Sequence, residues 1–220
     1  LDVIGSSDNV YYALRSSYEK PSHSYRLRRT VNRGAPLYTS ELYLMILKEK
    51  RIPSAEEFSE DFVTSFFPRG DRDSAKMQAK YAYKALLTDI HFYFQLLESK
   101  LFDKVEMSFS HDIFAKSDVL VVKNGVPIGL QLFSGDEAYV KTKSISLERI
   151  KHRLSYRLYA MPLKLRENHL DASENPMSLY EKEDVQEVLG LFSREMDIVE
   201  EKLKPESDVD RFVMLSRRQE

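Results

Sequence analysis

Cysteine is absent from this chain. Disulfides, thiolate metal sites and cysteine nucleophiles are therefore excluded, and the composition fits a cytoplasmic protein. Glycine is scarce. Seven occur in 220 residues, and none forms a Walker loop or a G-x-G-x-x-G turn, so a phosphate cradle of backbone amides is not expected. A serine nucleophile elbow is missing as well. No apolar run approaches the length of a membrane span. The opening LDVIGSSDNVYYALRSS has no basic segment followed by an apolar one, so no secretory signal is expected there. The histidines, at 23, 91, 111, 152 and 169, show no ligand spacing, and His111-Asp112 reads as a turn cap.

What is present is a soluble, globular composition with a hidden charge asymmetry. The net charge is only −2, yet residues 171–210 hold 13 Asp/Glu and 4 Lys/Arg, a net of −9. The rest of the chain therefore carries +7. Between Lys141 and Arg166 there are eight Lys/Arg against one acid, Glu148. A second basic stretch, residues 21–36, places Arg26, Arg28, Arg29 and Arg33 around Tyr25. Such a body suits a polyanion, either DNA or RNA, through phosphate contacts and stacking. Charges clustered by ordinary solvated helix faces remain the alternative.

The chain divides by pattern into residues 1–70, 71–165 and 166–220. The first part holds a short helix near residues 9–18, the basic arm, and two helices over about 38–50 and 54–67. Leu42, Leu44, Met45, Ile46 and Leu47 make the apolar face of the first of this pair; Phe58, Phe62, Val63, Phe66 and Phe67 make that of the second. Ser54-Ala55-Glu56-Glu57 is a capping box. Glu56, Glu57, Glu60 and Asp61 argue against a DNA-reading helix-turn-helix, because they would face phosphates. A plain helical hairpin is expected. A long helix follows to about residue 99, with Met77, Tyr81, Ala85, Ile90, Phe94 and Leu97 among its apolar positions. Its Lys76, Lys80 and Lys84 form one stripe, suited either to phosphates or to solvent. Glu98 lies in the last turn, where the helix dipole disfavours a carboxylate.

Strands are expected at 102–109, 118–123, 127–133 and 156–162, and a basic helix at 143–153. The organising stretch is SDVLVVKNGVPIGLQLF, residues 117–133. Asn124-Gly125 is a strong hairpin signal between two apolar runs. Asp118 opens the first run, and Gln131 interrupts the second. The polar loop 166–180 leads to an acidic helix over about 183–204, and Pro205 closes it.

From residue 73 the order is helix, three strands, helix, strand. That αβββαβ order resembles the core of the PD-(D/E)XK nuclease superfamily, the restriction-endonuclease-like fold. The resemblance covers about residues 73–163. It implies an α/β (α+β) protein with a mixed central sheet, a helical N-terminal extension and an acidic C-terminal helix. It further implies a Mg²⁺-dependent endonuclease that hydrolyses phosphodiester bonds. Asp118 matches the acid that begins the second core strand, and Glu98 the acid that some members carry on the first core helix. The third strand departs from the (D/E)-x-K pattern. If Gln131 stands for the acid, the Lys position is Phe133; if Gln131 stands for the Lys, the acid position is Gly129. Lys141 or Lys143 then supplies the missing cation.

The resemblance thus makes Asp118, Gln131 and Glu98 the metal set, with Asp118, Gln131, Lys141 and Lys143 as catalytic residues. Arg26, Arg28, Arg29, Arg149, Lys151 and Arg153 are the expected nucleic-acid contacts. Two rival readings remain. One is a nuclease-like fold without catalysis, kept as a DNA-binding or assembly module. The other is a protein-interaction module that docks through the acidic helix.

Overall fold

The computed structural model describes residues 2–16, 38–67, 72–107, 117–133, 156–163 and 179–203. Among them are five helices: α1 (Ser7–Ser16), α2 (Tyr38–Glu49), α3 (Ala55–Phe66), α4 (Arg72–Glu98) and α5 (Lys182–Leu203). Four strands, β1 (Lys104–Glu106), β2 (Val119–Lys123), β3 (Val126–Phe133) and β4 (Arg157–Pro162), form one sheet in the order β1-β2-β3-β4. The first three run antiparallel and β4 pairs parallel to β3, so the sheet is mixed. A parallel pair needs a crossover connection. Here residues 134–155 supply it, and the expected 143–153 helix lies outside the described residues. The chain is a mixed α+β protein, and no helix among the described residues is long and apolar enough to cross a membrane.

Local chemistry accounts for the element ends. Ser54 Oγ accepts the Glu57 N–H at 3.2 Å, and Glu57 Oε2 accepts the Ser54 N–H at 2.7 Å, which closes the capping box. Asn124 and Gly125 have φ of 50° and 74°. Positive φ at both turn positions is what a two-residue hairpin with right-twisted strands requires. α4 stops where Lys100 adopts a φ of 56° and turns the chain into β1. β1 is shorter than its alternating pattern suggested. It pairs only with Leu120 to Val122, on an edge.

Two cores share one helix. Ala79, Tyr83, Leu87, Ile90 and Phe94 of α4 pack with Val10 and Leu14 of α1, Leu42 and Ile46 of α2, and Phe58 and Phe62 of α3. Phe92 and Leu96 of the same helix turn to the sheet. There they join Val119, Val121, Ile128, Leu130 and Leu132, and Val185, Val188 and Phe192 of α5. Tyr81, Ala85 and Leu97 of α4 are exposed instead. α4 carries apolar residues on several faces, and the partners decide which stripe is covered.

The lysine stripe also finds its partners here. Lys76 Nζ lies 2.5 Å from Glu56 and 2.7 Å from Glu60, and Lys80 pairs with Glu56. The acids that spoke against groove entry thus clasp α3 to α4.

Candidate functional site

Strand alternation sorts the sheet into two faces. Val119, Val121, Ile128, Leu130 and Leu132 look into the helix-packed core. Asp118, Gly129, Gln131 and Phe133 therefore belong to the opposite face. Val119 pairs with Leu130, so Asp118 stands across from Gln131, one step beyond the regular ladder.

Asp118 grips β3 on both sides of that glutamine. Its N–H donates to the Leu130 carbonyl at 2.8 Å, and its Oδ2 accepts the Leu132 N–H at 2.6 Å. A carboxylate accepting a backbone N–H is a charge-assisted bond, stronger than a neutral one. It holds the acid in place at the mouth of the hairpin.

Gln131 is 7% exposed, and its Oε1 has no hydrogen-bond partner. Leaving a buried acceptor unpaired costs about 1–3 kcal/mol. Such an orphan calls for a water, an ion or a ligand. Two residues back on the same face, roughly 7 Å along the strand, Gly129 is tightly covered. A Cβ there would meet a Tyr156 ring carbon at 2.7 Å, Ser117 Oγ at 2.8 Å and a Leu158 methyl at 2.9 Å. The Tyr156 hydroxyl is buried and likewise has no partner of good geometry, since Ser117 Oγ donates to the Val119 carbonyl at 3.0 Å. Burial pushes the Tyr156 phenol up, with the nearby Ser117 hydroxyl pulling the other way. Asp118, Gln131, Tyr156 and Ser117 are thus the polar side chains around this end of the hairpin.

The third-strand positions can now be read. Gly129 is glycine because packing leaves no room for a side chain, so an acid cannot stand there without moving Tyr156 or Leu158. Phe133 is buried, and its N–H donates to the Tyr180 hydroxyl at 3.2 Å. Gln131 is the one polar side chain that β3 offers on this face.

Glu98 is occupied elsewhere. Its two carboxylate oxygens accept the Ser7 N–H at 2.7 Å and the Ser7 hydroxyl at 2.5 Å. The carboxylate that is disfavoured by its own helix end is stabilised by the partial positive charge at the start of α1. It lines a cleft whose walls include neither Asp118 nor Gln131. Glu98 is thus engaged by the start of α1. Among the described residues no group of three or more His, Cys, Asp or Glu is arranged to hold a metal. At the mouth of the hairpin Asp118 offers a carboxylate and Gln131 an orphaned amide oxygen. That donor set suits Mg²⁺ only if waters and substrate phosphates complete its shell, which is how Mg²⁺ is commonly bound.

Tyr180 had no motif to announce it. It precedes α5, is 1% exposed, and stacks on Phe92 at 4.3 Å. Its hydroxyl accepts from Phe133 N and donates to the Met161 carbonyl at 2.6 Å. Phe133 pairs with Pro162 and Leu132 with Met161, so the hydroxyl sits in the seam between β3 and β4. Burial, then the charge of Asp89 on α4, hold its phenol well above the ordinary range, with Asp118 adding to the effect. Asp89 is thus an acid on α4 that acts on the same seam, and no local pattern marks it.

The other expected contacts, Arg26, Arg28, Arg29, Lys141, Lys143, Arg149, Lys151 and Arg153, lie outside the described residues, as does His111-Asp112. Comparison with family models, curated proteins and solved structures returned no match.

Proposed function

We propose that this protein binds nucleic acid on a nuclease-like scaffold and hydrolyses phosphodiester bonds with Mg²⁺ at the mouth of the β2–β3 hairpin. The observation that carries this reading is the pairing of Asp118 with Gln131, whose buried Oε1 lacks a partner. The order α4-β1-β2-β3-β4, antiparallel then parallel, supports it as a fold-level analogy. Asp118 would be the main metal ligand and Gln131 a neutral one. Bound Mg²⁺ would place positive charge on the scissile phosphate and acidify a water. Asp118 is already oriented for this by the Leu132 amide. Lys141 or Lys143 would be the cation beside the phosphate. Arg26, Arg28, Arg29, Arg149, Lys151 and Arg153 would hold the backbone of DNA or RNA, with counterion release giving a steep salt dependence.

A second reading keeps the scaffold and the binding but not the chemistry. It is favoured by the engagement of Glu98 with Ser7 and by the sealed position of Gly129, the two places from which a second acid was expected. The protein would then be a DNA-binding or assembly module.

Labelled duplex and single-stranded DNA and RNA, incubated with Mg²⁺, Mn²⁺ or EDTA, separate the two. The first reading expects metal-dependent cleavage that Asp118→Asn abolishes while binding survives, because the Asn carbonyl still accepts the Leu132 N–H. Gln131→Glu should strengthen metal dependence by adding a charge. Wild-type binding without cleavage in either metal selects the second reading. No binding at low salt overturns both.

A further inference from the structure

A second polar site has walls that include neither Asp118 nor Gln131. α1, the end of α4 and the start of α5 line a cleft of about 820 Å³, within the range of small-molecule sites. Two side chains at its wall are unexplained. His91 is 6% exposed, and its Nδ1 has no partner; Gln95 Oε1 is buried and also unpaired. They stand one turn apart on α4 and so share a face.

The charges around them select the ligand. Among the described residues, Asp8, Glu98 and Glu181 line the cleft against a single lysine, Lys182. Both helix N-termini present already hold one of the protein's own carboxylates. Glu98 takes the Ser7 amide, and Asp184 Oδ2 accepts the Glu181 N–H at 2.7 Å. An anion would thus meet three acids. Burial lowers the His91 pKa, although Glu98 and Asp8 oppose this. A neutral imidazole carries one acceptor nitrogen. The unpaired atoms are therefore an amide oxygen and an imidazole nitrogen, within a negative field. Tyr11, Leu101 and Val185 add apolar wall.

We propose that this cleft binds an organic cation, an ammonium or guanidinium head on a short alkyl chain. The head donates hydrogen bonds to Gln95 Oε1 and His91, and the carboxylates of Asp8, Glu98 and Glu181 hold its charge. The head comes either from a free amine or from an arginine side chain of a peptide.

Calorimetric titration of the full chain tests this. The probes are agmatine, an N-acetylated and amidated arginine peptide, and the dianion glutarate. Saturable 1:1 binding of agmatine or of the peptide is expected, with none of glutarate. Whichever cation binds identifies the source. Gln95→Leu should weaken binding about tenfold, the loss of one charge-assisted hydrogen bond. Gln95→Glu should tighten it, so the proposal stays testable if the Leu variant folds poorly. Affinity should fall as pH drops and His91 protonates, because an imidazolium repels the ligand. Imidazole ¹⁵N shifts of His91 on titration give a second readout. Absence of saturable cation binding at millimolar concentration, equal binding of glutarate, or binding indifferent to both Gln95 variants would overturn the proposal.

Discussion

Removing one oxygen from the β3–β4 seam should be expensive. Tyr180→Phe keeps the ring, its burial and its stack on Phe92 at 4.3 Å, and deletes only the hydroxyl. Two hydrogen bonds go with it, from Phe133 N and to the Met161 carbonyl. A buried group that loses a bond costs up to about 1–3 kcal/mol, and Phe133 keeps its place in the parallel ladder opposite Pro162. The two groups face one another, so partial closure of the seam recovers some of that. A net loss of about 2 kcal/mol is expected, or about 4–8 °C in Tm for a chain of this size. Urea denaturation should show a lower midpoint with an unchanged slope, since the exposed area on unfolding is the same. Tyr180→Ala, which removes the ring too, should cost about 3–5 kcal/mol.

The sign of the pH dependence follows from the raised folded-state pKa of the phenol. The hydroxyl's contribution is whole below the ordinary value of 10.0 and falls as pH rises past it. The gap between wild type and Tyr180→Phe should therefore narrow in alkaline solution. A loss below about 0.5 kcal/mol at neutral pH would refute the reasoning, because Phe133 and Met161 would then pair well without the hydroxyl.

Two further substitutions probe the neighbouring structure. Gly129→Ala should destabilise by about 1–3 kcal/mol through overpacking, and Leu158→Ala in the same chain should restore part of it; additive losses in chemical denaturation would show that the methyl does not meet Leu158. Lys76→Met should lower Tm by about 1–3 °C at pH 7, since its partners are exposed and screened. Glu56 and Glu60 are held below their ordinary 4.5 by hydrogen bonds to Lys76, so that difference should be whole above pH 4.5 and shrink as pH falls further. A Tm difference constant down to pH 2.5 would show that the clasp carries no linkage.

Much of the fold is legible locally. Asn124-Gly125 adopts the two positive φ angles of a hairpin turn because few other residue pairs can do so without strain. Ser54 and Glu57 close their box because three residues of helix bring them together. Placing Asp118 beside Gln131 needs only the hairpin register and the period of two. What escaped was the choice of distant partner. The end of α4 shows that Glu98 needs a positive neighbour, but not that Ser7, 91 residues earlier, provides it. The stripe Lys76-Lys80 is plain on a helical wheel, yet nothing local says that Glu56 and Glu60 take it up. Gly129 could be read as a vacant acid position until Tyr156 and Leu158 were seen to cover it.

α4 has a consequence for how this protein can be taken apart. Its 27 residues form a rod of about 40 Å, with one core along it from Ala79 to Phe94 and the other on Phe92 and Leu96 near its far end. Excising residues 1–70 to obtain a shorter fragment would strip Tyr83, Leu87 and Ile90 bare along the rod that braces the sheet. Such a fragment would expose a long greasy stripe and self-associate. The helical front of the chain is in this sense a sheath rather than an accessory, and any shortened version must bring a replacement for it.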